Sequence, residues 1–272
     1  MIDRDNKINR EVIVLIPAAG KATRIAPLPC SKELYPIGFQ SLDGEHGKRP
    51  KVACQYLLEK MRSAGITNAY MVLREGKWDI PAYFRDGSLL DMNIAYLMMG
   101  LPFGVPYSID QAHSFLRHAT VAFGFPDILF QPDDAFVQLL NHRATSDVDI
   151  LLGLFPGDLP ETMDMVDVEE NGRINEIVIK PRHSRLQYTW GIAVWTPAFS
   201  EFLHSYLTAS VASPAPQPEL SVGHVIRVAI RSGLRVEGVP ISKEPYLDIG
   251  TPEGLAKAIK HFVAVERDES GE

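Results

Sequence analysis

Two cations, Arg24 and Lys32, follow a short apolar run, Val12 to Pro17, and a turn of small residues. The turn consists of Ala18, Ala19 and Gly20. An apolar run before such a turn predicts a buried β-strand, and small residues let the backbone N–H groups of the following loop approach an anion closely. Arginine and lysine beyond the turn would neutralise phosphate charge. The segment therefore predicts a phosphate-binding site.

This loop lacks the glycines of the two commoner phosphate-binding loops. A Walker loop that ended at Gly20 and Lys21 would need a glycine at Leu15. It would also need a magnesium-binding hydroxyl at Ala22. A dinucleotide-binding fingerprint needs three spaced glycines, whereas this loop contains one. The sequence therefore excludes both loop types.

Three further charged residues stand at the ends of apolar patterns or in turns: Asp127, Lys180 and Asp248. In open parallel sheets, ligands bind beyond the carboxyl ends of the strands, so a carboxylate at Asp127 is placed to hold a hard cation against phosphate. An aspartate at a strand end is also typical of a turn or a helix cap. A lysine that closes a strand, as Lys180 does, is typical of a solvated end. The residues alone leave both interpretations open.

The opening segment resembles the signature loop of the sugar nucleotidyltransferases, also called nucleoside-diphosphate-sugar pyrophosphorylases. Their pattern is roughly G-G-x-G-T-R followed by P-K-x-L-x-P. The matching residues are Ala19, Gly20, Lys21, Ala22, Thr23 and Arg24, then Ser31, Lys32, Glu33, Leu34, Tyr35 and Pro36. Alanine replaces two of the glycines, and Ser31 stands where proline is usual. The spacer between Arg24 and Lys32 is shorter than in the thymidylyl- and uridylyltransferases.

Later segments resemble the same family, in order along the chain. Asp127 matches the aspartate of the family's G-D element, with Pro126 in place of the glycine. Lys180 and Pro181 match the family's E-K-P element. The remaining matches are the strand TWGIAVW with Gly191, the segment Pro218, Glu219 and Leu220 against G-E-L-x-x-T-D, and EPYLDIGTPEGL against W-x-D-x-G-T-P-x-x-L. The resemblance therefore covers most of the chain, from about Val12 to Ala258.

The resemblance implies a role for each charged residue. Arg24 would bind the departing β- and γ-phosphates of a nucleoside triphosphate, and Lys32 would bind the α-phosphate and the attacking phosphate. Asp127 and Asp248 would hold Mg²⁺, and Lys180 would bind the phosphate of the acceptor. The implied nucleotide-binding residues are Ala18, Ala19, Gly20, Lys21, Ala22, Thr23, Val105 and Ser108. The implied acceptor-binding residues are Asp164, Lys180, Gly191 and Glu219.

The positions that select the base and the acceptor depart from the family's pattern. In the thymidylyl- and uridylyltransferases a Q-P-x-x-G-x-A-x-A element reads the base. Here Val105 or Met99 stands at its glutamine, and Ser108 stands at its glycine. On the acceptor side, Asp164 stands at the family's sugar-facing glycine, and Ile179 stands at the glutamate before the E-K-P lysine. The two acceptor-side changes alter the pocket that would recognise sugar hydroxyls. The sequence therefore leaves open both which base and which acceptor the protein uses.

These matches predict Mg²⁺-dependent nucleotidyl transfer from a nucleoside triphosphate to a sugar 1-phosphate, giving a nucleoside-diphosphate sugar and pyrophosphate. Two alternatives stay open. The IPAAG opening and the short spacer are reminiscent of cytidylyltransferases, which would act on a non-sugar phosphate. Loss of loop glycines, with Ala22 beside the phosphates, favours a non-catalytic homologue. The two retained metal carboxylates favour the enzyme.

Strand and helix patterns alternate along the chain and predict the elements that must position these residues. The alternation predicts an α/β fold, a Rossmann-like mixed and mostly parallel sheet flanked by helices. From Met163 to Trp195 strand follows strand, around a turn at Asn171 and Gly172, which predicts an antiparallel portion. Further strands are predicted at 69–73, 93–98, 119–125 and 148–155, helices at 50–64, 108–117 and 132–143, and a loop at 209–218.

We expect a single nucleotidyltransferase domain over residues 1–272, with a nucleotide-binding half at about 11–130 and an acceptor-binding half at about 131–262. The chain has 27 Lys and Arg residues against 34 Asp and Glu, a formal net charge of -7, which disfavours a nucleic-acid partner. Cys30 and Cys54 have no metal-ligand spacing and are too few for a disulfide scaffold, so a reducing cytoplasm fits best.

We find no signal peptide in the polar first residues and no apolar run long enough to span a membrane, so no membrane partner is expected. The expected partners are two small molecules, the nucleoside triphosphate and the sugar 1-phosphate. Homo-oligomers are frequent in the family, and self-assembly is a further expectation that rests on the resemblance alone.

Overall fold

The computed structural model describes residues 11–41, 47–100, 104–211 and 220–270. Its strands are β1 (Val12–Pro17), β2 (Pro36–Ser41), β3 (Lys48–Val52), β4 (Asn68–Arg74), β5 (Asn93–Met99), β6 (Thr120–Gly124), β7 (Ile128–Leu129), β8 (Ile150–Pro156), β9 (Asp164–Val168), β10 (Ile174–Ile179), β11 (Tyr188–Trp195), β12 (Val236–Pro240) and β13 (Leu247–Asp248). Its helices are α1 (Ala53–Ser63), α2 (Asp79–Phe84), α3 (Val105–Asp110), α4 (His113–Leu116), α5 (Ala135–Thr145), α6 (Pro197–Val211), α7 (Val222–Arg231) and α8 (Pro252–Ser270).

The largest sheet is mixed. Strands β5, β4, β1 and β6 lie side by side and parallel. Strand β11 pairs antiparallel with β6, β8 and β9, while β12 pairs parallel with β8 and β10 pairs antiparallel with β9. It follows that β10 and β11 run against the common direction of the other seven strands. The predicted fold class is confirmed, including the antiparallel portion between Met163 and Trp195.

The core lies on both faces of this sheet, and β1 shows why. Its residues VIVLIP are almost all buried. Val14 and Ile16 pack into the cluster that contains α1 and α5 residues, whereas Ile13 and Leu15 pack into the cluster that contains α6 and α7 residues. A strand covered on both faces reads as a continuous apolar run rather than an alternating one. Among the described residues, none of the helices combines the length and the apolar character needed to cross a membrane.

Three segments differ from the predicted elements. The helix predicted at 50–64 begins only at Ala53, because residues up to Val52 pair with β2 as strand β3. The helix predicted at 108–117 is two short helices, and α3 begins earlier because Pro106 fits the first turn, where no N–H donor is needed. Helix α6 continues to Val211, so the first three residues of the loop predicted at 209–218 are helical, and the rest of that prediction, 212–218, lies outside the described ranges. Helix α6 forms because apolar side chains recur on one buried face: Phe199, Leu203 and Leu207.

We expect Gly124→Ala to destabilise the fold. A Cβ on Gly124 would lie 2.7 Å from Cδ1 and 3.4 Å from Cγ of Leu57, which is buried on α1. Overpacking of this kind costs about 1–3 kcal/mol of unfolding free energy, which urea denaturation measures. Gly100→Ala is the control, because a Cβ there meets no atom of the described residues within 4 Å. Equal unfolding midpoints for the two variants would contradict the close packing at Gly124.

Candidate active site

Two aspartates far apart in the sequence, Asp127 and Asp248, are brought together by a small two-stranded sheet. Strand β7 starts directly after Asp127, β13 ends on Asp248, and the two strands pair antiparallel with Asp248 opposite Ile128. The Ile249 N–H donates to the Asp127 carbonyl oxygen over 3.0 Å. Backbone hydrogen bonds therefore hold the two aspartates side by side, just beyond the end of β6.

Arg24 and Lys32 pair with these two carboxylates. The Lys32 ammonium donates to Asp127 Oδ2, and both side chains are largely buried. Arg24 Nη2 lies 3.3 Å from Asp248 Oδ2, and the arginine side chain is 57% exposed. The structure thus brings together four of the charged residues that the sequence predicts to act together, with one cation buried and the other open to solvent.

Burial makes the charges of this cluster depend on one another. Burial alone raises the pKa of Asp127, but the charge and the hydrogen bond of Lys32 outweigh it and hold this pKa below its usual value. Asp248 shifts the other way, because its burial and the nearby charge of Asp127 raise its pKa against the attraction of Arg24. Burial opposes the charge of Lys32, yet Asp127 raises the pKa of Lys32 above its usual value. A further positive charge near Asp248 would therefore favour the ionised form of its carboxyl group.

Gly250 marks the space where the two carboxylates converge. A Cβ there would lie 2.8 Å from Asp248 Oδ1, 3.1 Å from Asp127 Oδ2 and 3.0 Å from Arg24 Nη2. Mg²⁺ usually takes one or two protein carboxylates together with substrate phosphates. In the described part of the chain, no three His, Cys, Asp or Glu side chains converge on one point. Asp127 and Asp248 could supply two such carboxylates.

The loop after β1 runs past the same cluster. Ala18 and Ala19 are buried at the end of the strand, and a Cβ on Gly20 would lie 3.9 Å from Lys32 Nζ. Ala22 adopts a φ of +54°. Such a conformation costs an alanine about 1–2 kcal/mol, which explains why the family's pattern has glycine at this position. Between Ala18 and Arg24, the exposed residues of the loop are Gly20, Lys21, Thr23 and Arg24.

The two residues predicted to meet the base lie on α3, which packs against β1 and β4. Ser108 is buried, and its hydroxyl lies 3.1 Å from Met99 Sδ. Val105 is half-buried. The Ser108 side chain therefore contacts Met99 inside the fold, whereas Val105 has exposed surface that a ligand could contact.

On the acceptor side, Asp164 and Lys180 lie near the same end of neighbouring strands. Asp164 begins β9 and pairs with Ile179, the last residue of β10. Burial raises the pKa of Asp164, although the charge of the exposed Lys180 lowers it in part. Asp164 Oδ1 is buried and has no hydrogen-bond partner among the residues that the structure describes, and a Cβ on Gly223 would collide with Oδ2. Glu219, the other residue predicted to contact the acceptor, lies outside the described residues.

Gly191 lies against an aromatic side chain that the sequence analysis did not single out. A Cβ on Gly191 would lie 3.2 Å from Tyr246 Cδ1 and 3.3 Å from Phe155 Cε2. Burial first, and then the negative charges of Asp248 and Asp164, raise the pKa of Tyr246. Tyr246 therefore packs on Gly191, a residue of the predicted acceptor side, two positions before Asp248. The available signal was its position two residues before Asp248, where the family's pattern has tryptophan.

A single family profile covers almost the whole chain. The family described as "Nucleotidyl transferase" matches residues 13–264. The chain belongs to this nucleotidyl transferase family. The resemblance to sugar nucleotidyltransferases that the motifs indicated is confirmed.

Curated relatives are distant. The chain is 22% identical over 231 residues to a glucose-1-phosphate thymidylyltransferase from Streptomyces antibioticus, an alignment that covers 84% of this chain and 60% of the relative. It is 21% identical over 245 residues to the low-salt glycan biosynthesis nucleotidyltransferase Agl11 from Haloferax volcanii, covering 89% of this chain and 63% of the relative. The chain thus spans about 60% of the length of the curated relatives it matches.

Solved structures establish the fold. A UDP-glucose pyrophosphorylase complexed with UDP-glucose matches with a TM-score of 0.75 at 19% identity, over 93% of this chain and 99% of that chain. The UDP-glucose pyrophosphorylase from Acinetobacter baumanii matches with a TM-score of 0.73 at 18% identity, over 93% of both chains. The chain therefore has the fold of the sugar nucleotidyltransferases.

We expect Gly250→Ala to abolish most of the activity while the protein stays folded. The added methyl group would push the carboxylates of Asp127 and Asp248 apart, and a misplacement near 1 Å can cost about 10²-fold in rate. Pyrophosphate release reports the activity, and thermal unfolding reports the fold. Gly100→Ala serves again as the control, because its Cβ meets no atom within 4 Å in the part of the chain that the structure describes. Full activity in Gly250→Ala would show that the space between the carboxylates is not used.

Proposed function

We propose that this protein transfers a nucleotidyl group from a nucleoside triphosphate to a sugar 1-phosphate and releases pyrophosphate. The observation that carries the proposal is the cluster of two cations and two carboxylates beyond the carboxyl ends of β1 and β6, formed by Arg24, Lys32, Asp127 and Asp248. Ligands bind at this edge in open α/β sheets. The thymidylyltransferase names of relatives and the UDP-glucose complex of a structural neighbour support the same substrate class.

The transfer needs positioning and charge stabilisation, and no covalent enzyme intermediate. An acceptor phosphate oxygen attacks the α-phosphorus, forming a new P–O bond, while the bond to pyrophosphate breaks on the opposite side. Lys32 binds the α-phosphate and the attacking phosphate, so that the two anions can approach against their repulsion. Arg24 is exposed at the edge of the site and binds the β- and γ-phosphates as they depart.

Asp127 and Asp248 would hold Mg²⁺ in this reaction. When bound, the ion supplies positive charge to the triphosphate. The chain itself keeps the two carboxylates in place, because the pairing of β7 with β13 fixes their backbones and Gly250 leaves the space between them open. Lys32 keeps Asp127 ionised before the substrates bind.

The acceptor would bind beside Lys180, Asp164 and Gly191. Lys180 is exposed at the end of β10, where it can bind the acceptor's phosphate. A non-sugar phosphate is the second candidate acceptor, and Asp164 favours it. Its carboxyl group stands at the family's sugar-facing glycine, with one oxygen unpartnered among the described residues. A carboxyl group in place of that glycine changes the shape and charge of the pocket that would recognise sugar hydroxyls, which supports an acceptor other than a sugar phosphate.

Pyrophosphate release across five nucleoside triphosphates and a series of sugar and non-sugar phosphates, with Mg²⁺, tests the proposed reaction. We expect release with particular pairs only. In those pairs, Lys32→Ala and Asp127→Asn should each lower the rate by about 10²–10³, as the loss of one charge-stabilising group does elsewhere. Lys257→Ala is the matched control, because Lys257 is exposed on α8.

The controls separate the outcomes. Wild-type rates in Lys32→Ala or Asp127→Asn would remove that residue from the catalytic set. Absence of release from every pair, with nucleotide binding demonstrated by calorimetry, would support the non-catalytic alternative.

Asp164→Gly is expected to change acceptor preference and leave base preference unchanged. Removal of the carboxyl group restores the family's residue, so the ratio of kcat/KM between sugar 1-phosphates and non-sugar phosphates should change by about tenfold or more. Asp167→Gly, on the same strand β9, controls for the effect of a glycine in that strand. Unchanged acceptor ratios in Asp164→Gly would show that Asp164 does not contact the acceptor.

A further inference from the structure

Lys32 lies between two residues that are anchored to the same short segment, Lys77 to Asp79. On one side, the Ser31 N–H donates to Asp79 Oδ2 and the Ser31 hydroxyl donates to Asp79 Oδ1, each over 2.7 Å. On the other side, Lys77 Nζ donates to both carboxylate oxygens of Glu33 over 2.6 Å. Four hydrogen bonds thus hold the two residues that flank Lys32.

The Glu33–Lys77 ion pair is deeply buried, with its side chains only 1% and 4% exposed. Burial raises the pKa of Glu33 and lowers that of Lys77, against the mutual attraction of the two charges. Apolar side chains of similar size often stabilise a fold as well as such a pair does. A contribution to stability therefore explains this ion pair poorly. Precise placement of the backbone at Glu33, next to Lys32, explains it better.

Lys32 itself contacts a different part of the fold from its two neighbours. Ser31 and Glu33 contact the segment that follows β4, whereas Lys32 reaches Asp127 after β6. The backbone between them forms a 3-10 helix, Lys32–Leu34, closed by the Leu34 N–H donating to the Ser31 carbonyl oxygen over 2.8 Å. Because lysine has a flexible four-carbon stem, the position of its ammonium group depends on how firmly the backbone is held.

We propose that Lys77 and Asp79, here called the clamp, are positioning residues for Lys32, and this rests on the role proposed above for Lys32 in the transfer. The family's pattern has proline at Ser31, and a proline ring restricts the backbone and removes the N–H. In this chain Asp79 restrains the same position by accepting the Ser31 N–H and hydroxyl. The clamp thus replaces a covalent restraint with hydrogen bonds.

Asp79→Ala tests the clamp in the complete chain, with kcat and KM measured from pyrophosphate release. We expect kcat to fall about 10- to 100-fold because the Lys32 ammonium is displaced, with the KM for the nucleotide changed far less. Asp79→Asn should restore kcat, since its amide can accept the Ser31 N–H and donate to the hydroxyl. Asp86→Ala is the matched control, because Asp86 Oδ1 accepts the Ser88 N–H in another turn, and it should leave kcat unchanged.

Adding Asp79→Ala to the Lys32→Ala variant tests whether Asp79 acts through Lys32 or through the stability of the whole site. If Asp79 acts through Lys32, adding Asp79→Ala to Lys32→Ala should change kcat by less than about twofold. Losses that multiply, or an unchanged kcat in Asp79→Ala alone, would overturn the clamp while leaving the proposed reaction intact. Wild-type kcat in Lys32→Ala would instead remove Lys32 from the reaction, and the clamp with it. If Asp79→Ala does not fold, the double variant Glu33→Gln with Lys77→Met, which leaves no buried unpaired charge, carries the same comparison.

Discussion

The closeness of two carboxylates, the buried Asp127 and the half-buried Asp248, is the constraint on which the rest of the site depends. Like charges at short range repel, and together with burial the charge of Asp127 raises the pKa of Asp248, whereas Lys32 holds the pKa of Asp127 below its usual value. Lys32 compensates Asp127 and Arg24 compensates Asp248, so the loop after β1 must bring both cations to one place. A cluster of this kind contributes little to the stability of the fold, and clusters of charges with shifted pKa values are typical of functional sites.

The sheet meets this constraint through strand order. Strands β1 and β6 are parallel neighbours, so the loop that carries Arg24 and Lys32 and the turn that carries Asp127 leave the same edge. Strand β11 joins β6 to β8 and β9, which connects this edge to the strands around the predicted acceptor side. Tyr246 packs on Gly191 of β11 just before Asp248, so the same tyrosine borders the carboxylate pair and the acceptor side.

Much of the fold could be predicted because its signals are local. The strands β1, β4 and β5 are apolar runs, and α1 has buried residues at helical spacing before Gly65, so periodicity alone indicates them. Helix α6 was missed because it continues into an alanine-, serine- and proline-rich stretch that is typical of a loop. In the site, Gly250 matched the glycine of the family's W-x-D-x-G-T-P pattern without a role, and Lys77 was missed because its importance lies in its contact with Glu33, 44 positions earlier in the sequence.

The sequence by itself determined the family, the parallel core of the sheet and the types of charge available, since motif spacing and apolar periodicity are properties of short segments. The tertiary structure decided which charges meet. It paired Lys32 with Asp127 and Arg24 with Asp248, buried Ser108 against Met99, and fixed the residues around Lys32 to the segment after β4. Those outcomes depend on strand order and on the packing of distant segments, because a pattern within one segment carries no information about which other segment will lie beside it.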